Sequence, residues 1–387
     1  MKKTIELHKR WKDDPSKGEV FTPEELVKEM LDKIPTSVME NPTSTFLDPC
    51  MGKGTFLIDI LRRLTTIYGH SVEDAMSRIY GYDVRVKYIN YLKRGGFKNV
   101  FHKDFLNENI DMKFDVVIGN PPFQNNLENG QKSKKTLWSL FIQKSFELTK
   151  QNGYCSMVSP DGWWSPTIDI PKGKISIFRD IFKKYNLLVV ASNEVVKPHF
   201  KNIGTSFTYF VAQKSVYKNI TNFITTDMVL DFDIKNINFI PKKINRISLK
   251  LHKKIMGSDS KFTFERYQKK DGGMLDNRHP YFYTPKVKFS RGLAKFRVEG
   301  DNGNLGYDVF TYAYHIIGSE TVESAMSVLN SKLYRLVLNQ KWNQYFTKFI
   351  PNEVHKPSLD KIYTDEMIYQ LFDLTDEEIE YVESYVE

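Results

Sequence analysis

The sequence is poor in cysteine and has no long apolar run. Only Cys50 and Cys155 occur in 387 residues, too few for a disulfide framework or a cysteine-based zinc site. No stretch approaches the roughly 20 apolar residues of a membrane span, and the charged N-terminus, residues 1–6, lacks the apolar run of a secretory signal. These absences predict a cytoplasmic protein in a reducing compartment, with no metal site and no membrane contact.

Charge is plentiful but unevenly placed along the chain. Residues 1–240 carry 34 Lys or Arg against 27 Asp or Glu, residues 241–300 carry 16 against 5, and residues 301–387 carry 6 against 15. The basic middle block suggests a polyanionic partner, although a solvated surface explains such a block equally well. The acidic end is expected to pack back on the basic regions or to face away from that partner.

Apolar runs of strand length alternate with helical patterns through the first half of the chain. The strand-like runs are residues 45–47, 79–83, 100–104, 114–119, 153–158, 187–190 and 206–211. Helical patterns cover residues 56–64, 84–92 and 137–148. This alternation predicts an α/β fold, a doubly wound Rossmann-like sheet of seven strands with helices on both faces.

The alternation fails after about residue 215, where short strands, aromatics and polar turns take over. We therefore predict one domain over residues 1–240 and a second, mixed α+β domain over residues 241–387. Residues 124–135 are polar and lack apolar periodicity, which predicts an exposed loop. Near the C-terminus, Thr375 and Glu378 predict the start of an acidic helix.

Distinctive residues follow the first predicted strand, at the edge of a parallel sheet where ligands bind. Residues 48–56 read Asp-Pro-Cys-Met-Gly-Lys-Gly-Thr-Phe. Gly52 and Gly54 would let a ligand approach the backbone at a helix N-terminus. The pattern is neither a phosphate loop nor a dinucleotide fingerprint, and Asp48 would repel a pyrophosphate but suit a ligand that carries an ammonium group.

Acidic residues also end the next two strands. Asp83 stands where a carboxylate hydrogen-bonds a ribose diol, and Asp104 with Phe105 could hold an adenine ring. Each acid alone is more simply explained as a helix N-cap. Three of them at successive strand ends, one with the Gly-x-Gly turn, favour a ligand site.

The fourth strand ends in Asn120-Pro121-Pro122-Phe123. With the motif of residues 48–56, this segment resembles class I S-adenosylmethionine-dependent methyltransferases that act on exocyclic amino groups, in particular the DNA N6-adenine methyltransferases of Eco57I-type restriction–modification systems. Residues 18–27 resemble the cofactor motif that precedes the first strand in these enzymes, and this order of motifs is the gamma arrangement. Phe123 departs from the commoner tyrosine but keeps the ring. The similarity extends to residues 373–379.

The resemblance implies S-adenosylmethionine as cofactor and residues 1–240 as the catalytic domain. The implied catalytic residues are Asn120, Pro121, Pro122 and Phe123. The implied cofactor-binding residues are Phe21, Thr22, Pro23, Asp48, Pro49, Gly52, Gly54, Phe56, Asp83, Val84, Asp104, Phe105 and Asn120. The target base is expected to stack on Phe123 and on a second aromatic wall, for which Phe207 is chosen over Phe200, although either ring is more simply explained as a core residue. Trp163 and Trp164 could face either DNA or the core.

Asn120 and Pro121 suit the activation of an exocyclic amino group. Such a nitrogen is a poor nucleophile because its lone pair is delocalised into the ring. The Asn120 amide oxygen and the Pro121 carbonyl could each accept one amino N–H, which would point the lone pair at the cofactor methyl. A neutral amide avoids burying a charge beside the sulfonium, and proline has no competing N–H. The adenine must be flipped out of the duplex to reach such a pocket, where residues 124–135 could close over it.

The second domain is then expected to bind double-stranded DNA. Arg246, Lys250, Lys253 and Lys254 are spaced for one helical face, and they are followed by Arg266, Lys269, Lys270, Arg278, Lys286, Lys288, Arg291, Lys295 and Arg297. Most of these side chains would contact phosphates, while one or two arginines could read guanine edges.

Other functions remain open at this point. The same chemistry could serve N4 of cytosine in DNA, an amino group in RNA or a glutamine amide, and the fold could belong to a non-catalytic DNA-binding subunit. We expect a monomer. We also expect methylation without cleavage, because the first motif begins within the first twenty residues and leaves no room for a nuclease upstream. A separately encoded restriction endonuclease is an expected partner.

Overall fold

The computed structural model describes most of the chain as two compact units. The described residues are 20–126, 132–164, 175–200, 206–218, 220–256, five short strands between 263 and 317, 322–340, 355, 357–358 and 361–385. The first unit comprises residues 1–161 and 177–233, and the second comprises residues 162–176 and 234–387. Within the described part of the chain, no helix is long and apolar enough to span a membrane.

The first unit is built on a large, mostly parallel sheet. Its strands, with those of one separate hairpin, are β1 (Phe46–Asp48), β2 (Ile79–Asp83), β3 (Val100–His102), β4 (Phe114–Gly119), β5 (Gln124–Asn126), β6 (Lys132–Thr136), β7 (Thr149–Pro160), β8 (Tyr185–Ala191), β9 (Phe207–Val216), β10 (Thr221–Ile224) and β11 (Val229–Phe232). The order across the sheet is β11-β10-β8-β9-β7-β4-β1-β2-β3. Strands β3, β2, β1, β4 and β7 are parallel neighbours, as are β8 and β10, whereas β9 is antiparallel to both β7 and β8.

The sheet order places a switch point between β1 and β4. Successive strands run outward from β1 through β2 to β3, and the chain then returns to β4 on the other side of β1. Phe46 pairs with Ile79 of β2 and with Val116 of β4. The carboxyl ends of β1, β2 and β4 therefore meet at one edge, where open α/β sheets bind their ligands.

The predicted count of seven strands is wrong, since the described residues form a sheet of nine. Strands β10 and β11 extend the sheet as an antiparallel pair beyond β8. The two strands were not predicted from the sequence because burial alternates along β10 and because β11 is an edge strand, in which Val229 is 60% exposed. Neither strand carries the continuous apolar run of a strand buried on both faces.

Seven α-helices of the described first unit flank this sheet. They are α1 (Glu24–Asp32), α2 (Thr36–Glu40), α3 (Thr55–Thr66), α4 (Val72–Ser77), α5 (Val86–Arg94), α6 (Trp138–Leu148) and α7 (Asn193–Val196). A π-helical turn covers Ile177–Phe182, and 3₁₀ turns cover Asp161–Trp164 and Lys197–His199. Helix α3 buries Phe56, Ile60 and Leu64, spaced by four residues on one face. The helices predicted at 56–64, 84–92 and 137–148 are confirmed.

The segment after Phe123 differs from the prediction. The prediction for residues 124–135 is an exposed loop, whereas the described residues 124–126 and 132–136 form β5 and β6, which pair antiparallel. A ribbon of this kind needs no buried face, so its polar sequence carries no apolar alternation.

The second unit has a mixed α and β composition. Its elements are α8 (Arg246–Ile255), β12 (Thr263–Tyr267), β13 (Gly273–Met274), β14 (Tyr281–Pro285), β15 (Gly306–Tyr307), β16 (Thr311–Ile317), α9 (Val322–Leu329), α10 (Lys332–Gln340), α11 (Asp365–Leu371) and α12 (Asp376–Tyr385). Strands β12, β16 and β14 form an antiparallel sheet, and β13 pairs with β15. The helices share a core that includes Leu251, Leu333 and Val382.

The acidic helix α12 packs against the basic helix α8. Its predicted start is confirmed, because Thr375 N–H donates to Glu378 Oε2 at 2.9 Å and Glu378 N–H donates to Thr375 Oγ1 at 3.3 Å. Lys254 Nζ of α8 lies 2.7 Å from Glu378 Oε2, so part of the acidic end packs back on the basic block.

Trp163 and Trp164 are 3% and 2% exposed and therefore lie in a core.

Candidate active site

The turn after β1 carries Asp48 and the two glycines of the first motif. Asp48 is 1% exposed, and its Oδ1 accepts the N–H of Cys50 at 3.0 Å. Gly52 and Gly54 have φ of +50° and +83°, the left-handed region that favours glycine. A Cβ at Gly54 would lie 2.6 Å from Leu92 Cδ2, so this position requires glycine for close packing as well as for its backbone conformation.

Asp83 ties the end of β2 to this turn. Its Oδ2 accepts the N–H of Gly52 at 2.9 Å, and its Oδ1 accepts the N–H of Arg85 at 2.8 Å. Since each carboxylate oxygen has two lone pairs, Asp83 can accept from a ligand in addition to these bonds. The neighbouring Val84 is 57% exposed, which places an apolar surface next to the carboxylate.

Burial makes Asp48 an unusual carboxyl group. Desolvation raises its pKa to about 7; the Cys50 N–H partly offsets this rise, and the negative charge of Asp83 adds to it. Burial likewise raises the pKa of the Cys50 thiol, with the charges of Asp48 and Asp83 acting in the same direction. Burial thus favours the neutral form of the Asp48 carboxyl, and a cation at this edge of the sheet would favour its ionised form.

The end of β4 packs directly on the same turn. A Cβ at Gly119 would lie 2.8 Å from Asp48 Oδ1 and 3.4 Å from Cys50 Sγ, so only glycine fits without displacing Asp48. Asn120 follows at once and is half-buried, Pro121 is buried, and the backbone of Asn120 hydrogen-bonds to Cys50. The structure therefore brings the Asn-Pro-Pro segment beside Asp48, as expected for neighbouring strands.

Phe123 joins an aromatic cluster with Phe207 and Phe200. The ring centroids of Phe123 and Phe207 are 5.3 Å apart, and those of Phe207 and Phe200 are 5.0 Å apart. Phe123 is half-buried, whereas Phe207 is 2% and Phe200 is 6% exposed. Phe207 thus lies between two other rings rather than on an open wall, and its role in base stacking stays a prediction.

The upstream motif also lies at the glycine turn. A Cβ at Gly52 would lie 3.5 Å from Cε1 of Phe21, and the Phe21 ring meets Tyr88 edge-on with centroids 5.8 Å apart. Lys53 Nζ lies 4.7 Å from the centroid of the same ring. Residue 21 and residues 52–53 are therefore in contact although they are far apart in the chain.

The structure shows the surroundings of four other residues that are predicted to bind the cofactor. Thr22 is buried and Pro23 immediately precedes α1. Pro49 is buried directly after Asp48, and Phe56 is 3% exposed in the main core. For Phe56 the structure indicates packing under the turn, while its contact with a cofactor stays a prediction.

Asp104 and Phe105 follow β3, and both have partners within the protein. Asp104 accepts from the N–H of Leu106 at 3.0 Å and from Asn107 Nδ2 at 2.7 Å, so both of its oxygens stabilise a local turn. Phe105 is 2% exposed and stacks on Phe141 at 5.5 Å. Phe105 also meets Tyr82 of β2 edge-on, with centroids 5.9 Å apart, and contact of Asp104 and Phe105 with adenine stays a prediction.

Three residues at the site escaped sequence reasoning, namely Cys50, Lys53 and Gly119. Gly119 could have been predicted, because a glycine at the end of a strand often permits the close approach of a neighbouring backbone segment. Cys50 and Lys53 lie within the first motif between its distinctive residues and gave no such signal.

The first unit has a mixed α/β fold with a large, mostly parallel sheet. Residues 64–187 match the family model of the Eco57I restriction-modification methylase, which confirms the resemblance read from the motifs. The matched range includes Asp83 and residues 120–123 but not the glycine turn.

Two curated relatives show similarity to parts of the chain. The type II methyltransferase M.VspI of Vibrio sp. (strain 343) is 25% identical over 163 residues, which cover 38% of either chain. The methylase subunit of the type I restriction enzyme EcoEI of Escherichia coli is 26% identical over 215 residues, 50% of this chain and 42% of that one. The chain thus matches less than half the length of each relative. Among solved structures, the type I restriction enzyme EcoKI M protein aligns with a TM-score of 0.39 and 18% identity, covering 55% of this chain and 49% of that one.

Proposed function

We propose that the protein is an S-adenosylmethionine-dependent DNA methyltransferase of restriction–modification type that modifies N6 of adenine. The observation that carries this proposal is the packing of Gly119 on Asp48, which places Asn120 and Pro121 beside the glycine turn. The acceptors for an amino group and the residues suited to a cationic cofactor thereby share one edge of the sheet.

The residues of the site fit S-adenosylmethionine. This cofactor supplies a methyl group bonded to a positively charged sulfur. The buried carboxyl of Asp48 suits such a positive charge, Asp83 can accept from ribose hydroxyls, and the exposed Val84 offers an apolar surface to a purine. Phe21 packs against the glycine turn and would limit the access of water there.

Asn120 and Pro121 would act on the target amino group. The Asn120 side-chain oxygen and the Pro121 carbonyl accept its two N–H groups and thereby orient the nitrogen lone pair. Phe123 is half-buried and would present a ring on which a flipped base stacks. Attack by the nitrogen would break the bond between sulfur and methyl and leave the nitrogen positively charged. Loss of one of its protons then needs no strong base, because this cationic nitrogen is acidic and can release the proton to water.

DNA binding is proposed for the basic face of α8. Arg246, Lys250 and Lys253 are exposed and recur at spacings of four and three residues, which puts them on one face of the helix. Three cations in a row along a helix suit contacts with successive phosphates. The other basic residues proposed from the sequence, from Arg266 to Arg297, have side chains outside the described residues.

Neutralising this face should weaken DNA binding and its dependence on salt. The triple variant Arg246→Gln, Lys250→Gln and Lys253→Gln is expected to lower the slope of log K against log salt by up to about 2.7, because each phosphate that is no longer neutralised reduces the slope by roughly 0.9. Fluorescence anisotropy with a labelled duplex at several salt concentrations measures this slope.

A matched control removes the same charge elsewhere. Lys93, Arg94 and Lys98 are exposed at and just after the end of α5, which runs back from the carboxyl edge of the sheet, so their replacement by glutamine should leave the slope nearly unchanged. Equal slopes for both triple variants and the wild type would move the DNA site away from α8.

The reaction itself is tested by transfer of a labelled methyl group. The protein is incubated with tritiated S-adenosylmethionine and, in separate reactions, with plasmid DNA, RNA or protein, and the nucleic acids are then digested to nucleosides. Label in N6-methyladenine is the expected result. Label in N4-methylcytosine, in RNA or in protein would replace the proposed substrate. An absence of label in all four would favour a non-catalytic subunit.

A further inference from the structure

We propose that Lys53 recognises the carboxylate of the S-adenosylmethionine amino-acid group and makes the site selective for it. The inference rests on the proposed function, since it names a residue that discriminates among ligands at the same site. Lys53 is the middle residue of the Gly-x-Gly turn, between Gly52 and Gly54.

The side chain of Lys53 lies along the site rather than extending into solvent. Its Nζ is 4.7 Å from the centroid of Phe21, and that ring lies 3.5 Å from where a Cβ on Gly52 would be. Lys53 is half-buried. The ammonium is therefore held close to the backbone that the two glycines leave accessible.

The contact with Phe21 is compatible with a bound carboxylate at the same ammonium. A lysine ammonium has three N–H donors, and the face of an aromatic ring attracts its charge without requiring all three of them. A hydrogen bond from an ammonium to a carboxylate is among the stronger hydrogen bonds in proteins. Since Phe21 already restricts the side chain, less rotamer entropy remains to be lost when an anion binds.

The charges on the two sides of the turn are opposite. On the side of β4, Asp48 packs against Gly119 and is buried. On the side of Phe21, Lys53 provides a positive charge, and the twelve-residue helix α3 begins at Thr55 directly after the turn. A helix N-terminus adds to the attraction for an anion. A ligand with both a cationic and an anionic group matches this arrangement.

A pair of ligands that differ only in the carboxylate tests the proposal. S-adenosylmethionine and decarboxylated S-adenosylmethionine are titrated calorimetrically into the DNA-free protein. We expect Lys53→Met to bind S-adenosylmethionine about tenfold more weakly than the wild type, as for loss of one charge-assisted hydrogen bond. The decarboxylated ligand should bind both proteins equally. Lys53→Arg, which keeps the charge, should retain most of the preference.

Arg85 provides a matched loss of charge at the same edge. Its Nη1 lies 3.9 Å from Asp83 Oδ1, so Arg85→Met should affect the two ligands to the same extent. An equal loss of both ligands in Lys53→Met would show that Lys53 only steadies Phe21, and would overturn the proposal. A loss of the preference for S-adenosylmethionine in Arg85→Met, rather than in Lys53→Met, would also overturn the proposal. If the wild type binds neither ligand, the cofactor assignment itself fails, and this inference fails with it.

Discussion

Replacing Asn120 by alanine should abolish methyl transfer while binding of S-adenosylmethionine persists. The side-chain oxygen accepts one N–H of the amino group as its nitrogen becomes tetrahedral, so its interaction is stronger in the transition state than in the ground state. Loss of a comparable preorganised group elsewhere costs about 10²–10³ in kcat. We expect a loss of at least about 10³, because the amino N–H in the pocket is also left without its acceptor.

Single-turnover transfer to a duplex and calorimetric binding without DNA measure the two effects separately. Asn222→Ala is a matched control, since Asn222 lies on β10 and donates to Asp231 far from the candidate site. The control should keep wild-type turnover. Turnover within about tenfold of wild type in Asn120→Ala would contradict the proposed role, whereas loss of cofactor binding would indicate that Asn120 instead supports the turn at Asp48.

The sequence predicted the parts of this site that depend on strand order. Asp48, Asp83 and Asn120 each follow a buried run, and parallel strands bring their carboxyl ends to one edge. The hydrogen bond from Gly52 to Asp83 and the packing of Gly119 on Asp48 agree with that expectation. Asp104 also follows a strand, and its two local hydrogen bonds hold a common kind of turn; its role in cofactor binding stays a prediction.

The direction in which Phe207 and Lys53 point could not be predicted from the sequence. Phe207 begins a strand and could have turned to either face, and its position between Phe123 and Phe200 depends on the packing of three separate segments. Lys53 gave no signal for the same reason, because its contact with Phe21 links residues far apart in the chain. Strands β10 and β11 were missed because an edge of a sheet needs less apolar sequence than its centre.

Asp48 should make the ligand-free protein less stable at neutral pH, while suiting the site to a cation. Its pKa is about 7 in the folded protein against an ordinary 3.8. Between these values the folded state keeps a proton that the unfolded chain has released, so stability falls as pH rises from about 4 to 7. Above pH 7 the loss reaches at most about 4 kcal/mol, at 1.36 kcal/mol per pKa unit.

Asp48→Asn should therefore stabilise the ligand-free protein at pH 8, with a gain that vanishes toward pH 4. Urea unfolding across this range measures it. The same variant should bind S-adenosylmethionine at least about tenfold more weakly at pH 8, because the positive charge loses its buried partner. Wild-type affinity should fall by up to about tenfold per unit below pH 7 as Asp48 takes up its proton, while the affinity of the variant stays nearly flat.

Asp59→Asn is a control for which we expect the opposite change in stability at pH 8. It is also a buried aspartate, but its Oδ2 lies 2.7 Å from Arg63 Nε, so Asp59→Asn should destabilise the protein at pH 8 by leaving a buried cation partly unpaired. Both aspartates are buried, but among the described residues only Asp59 has a positive partner. At Asp48 that partner would be the cofactor. Destabilisation by Asp48→Asn, or a pH-independent wild-type affinity, would contradict this account.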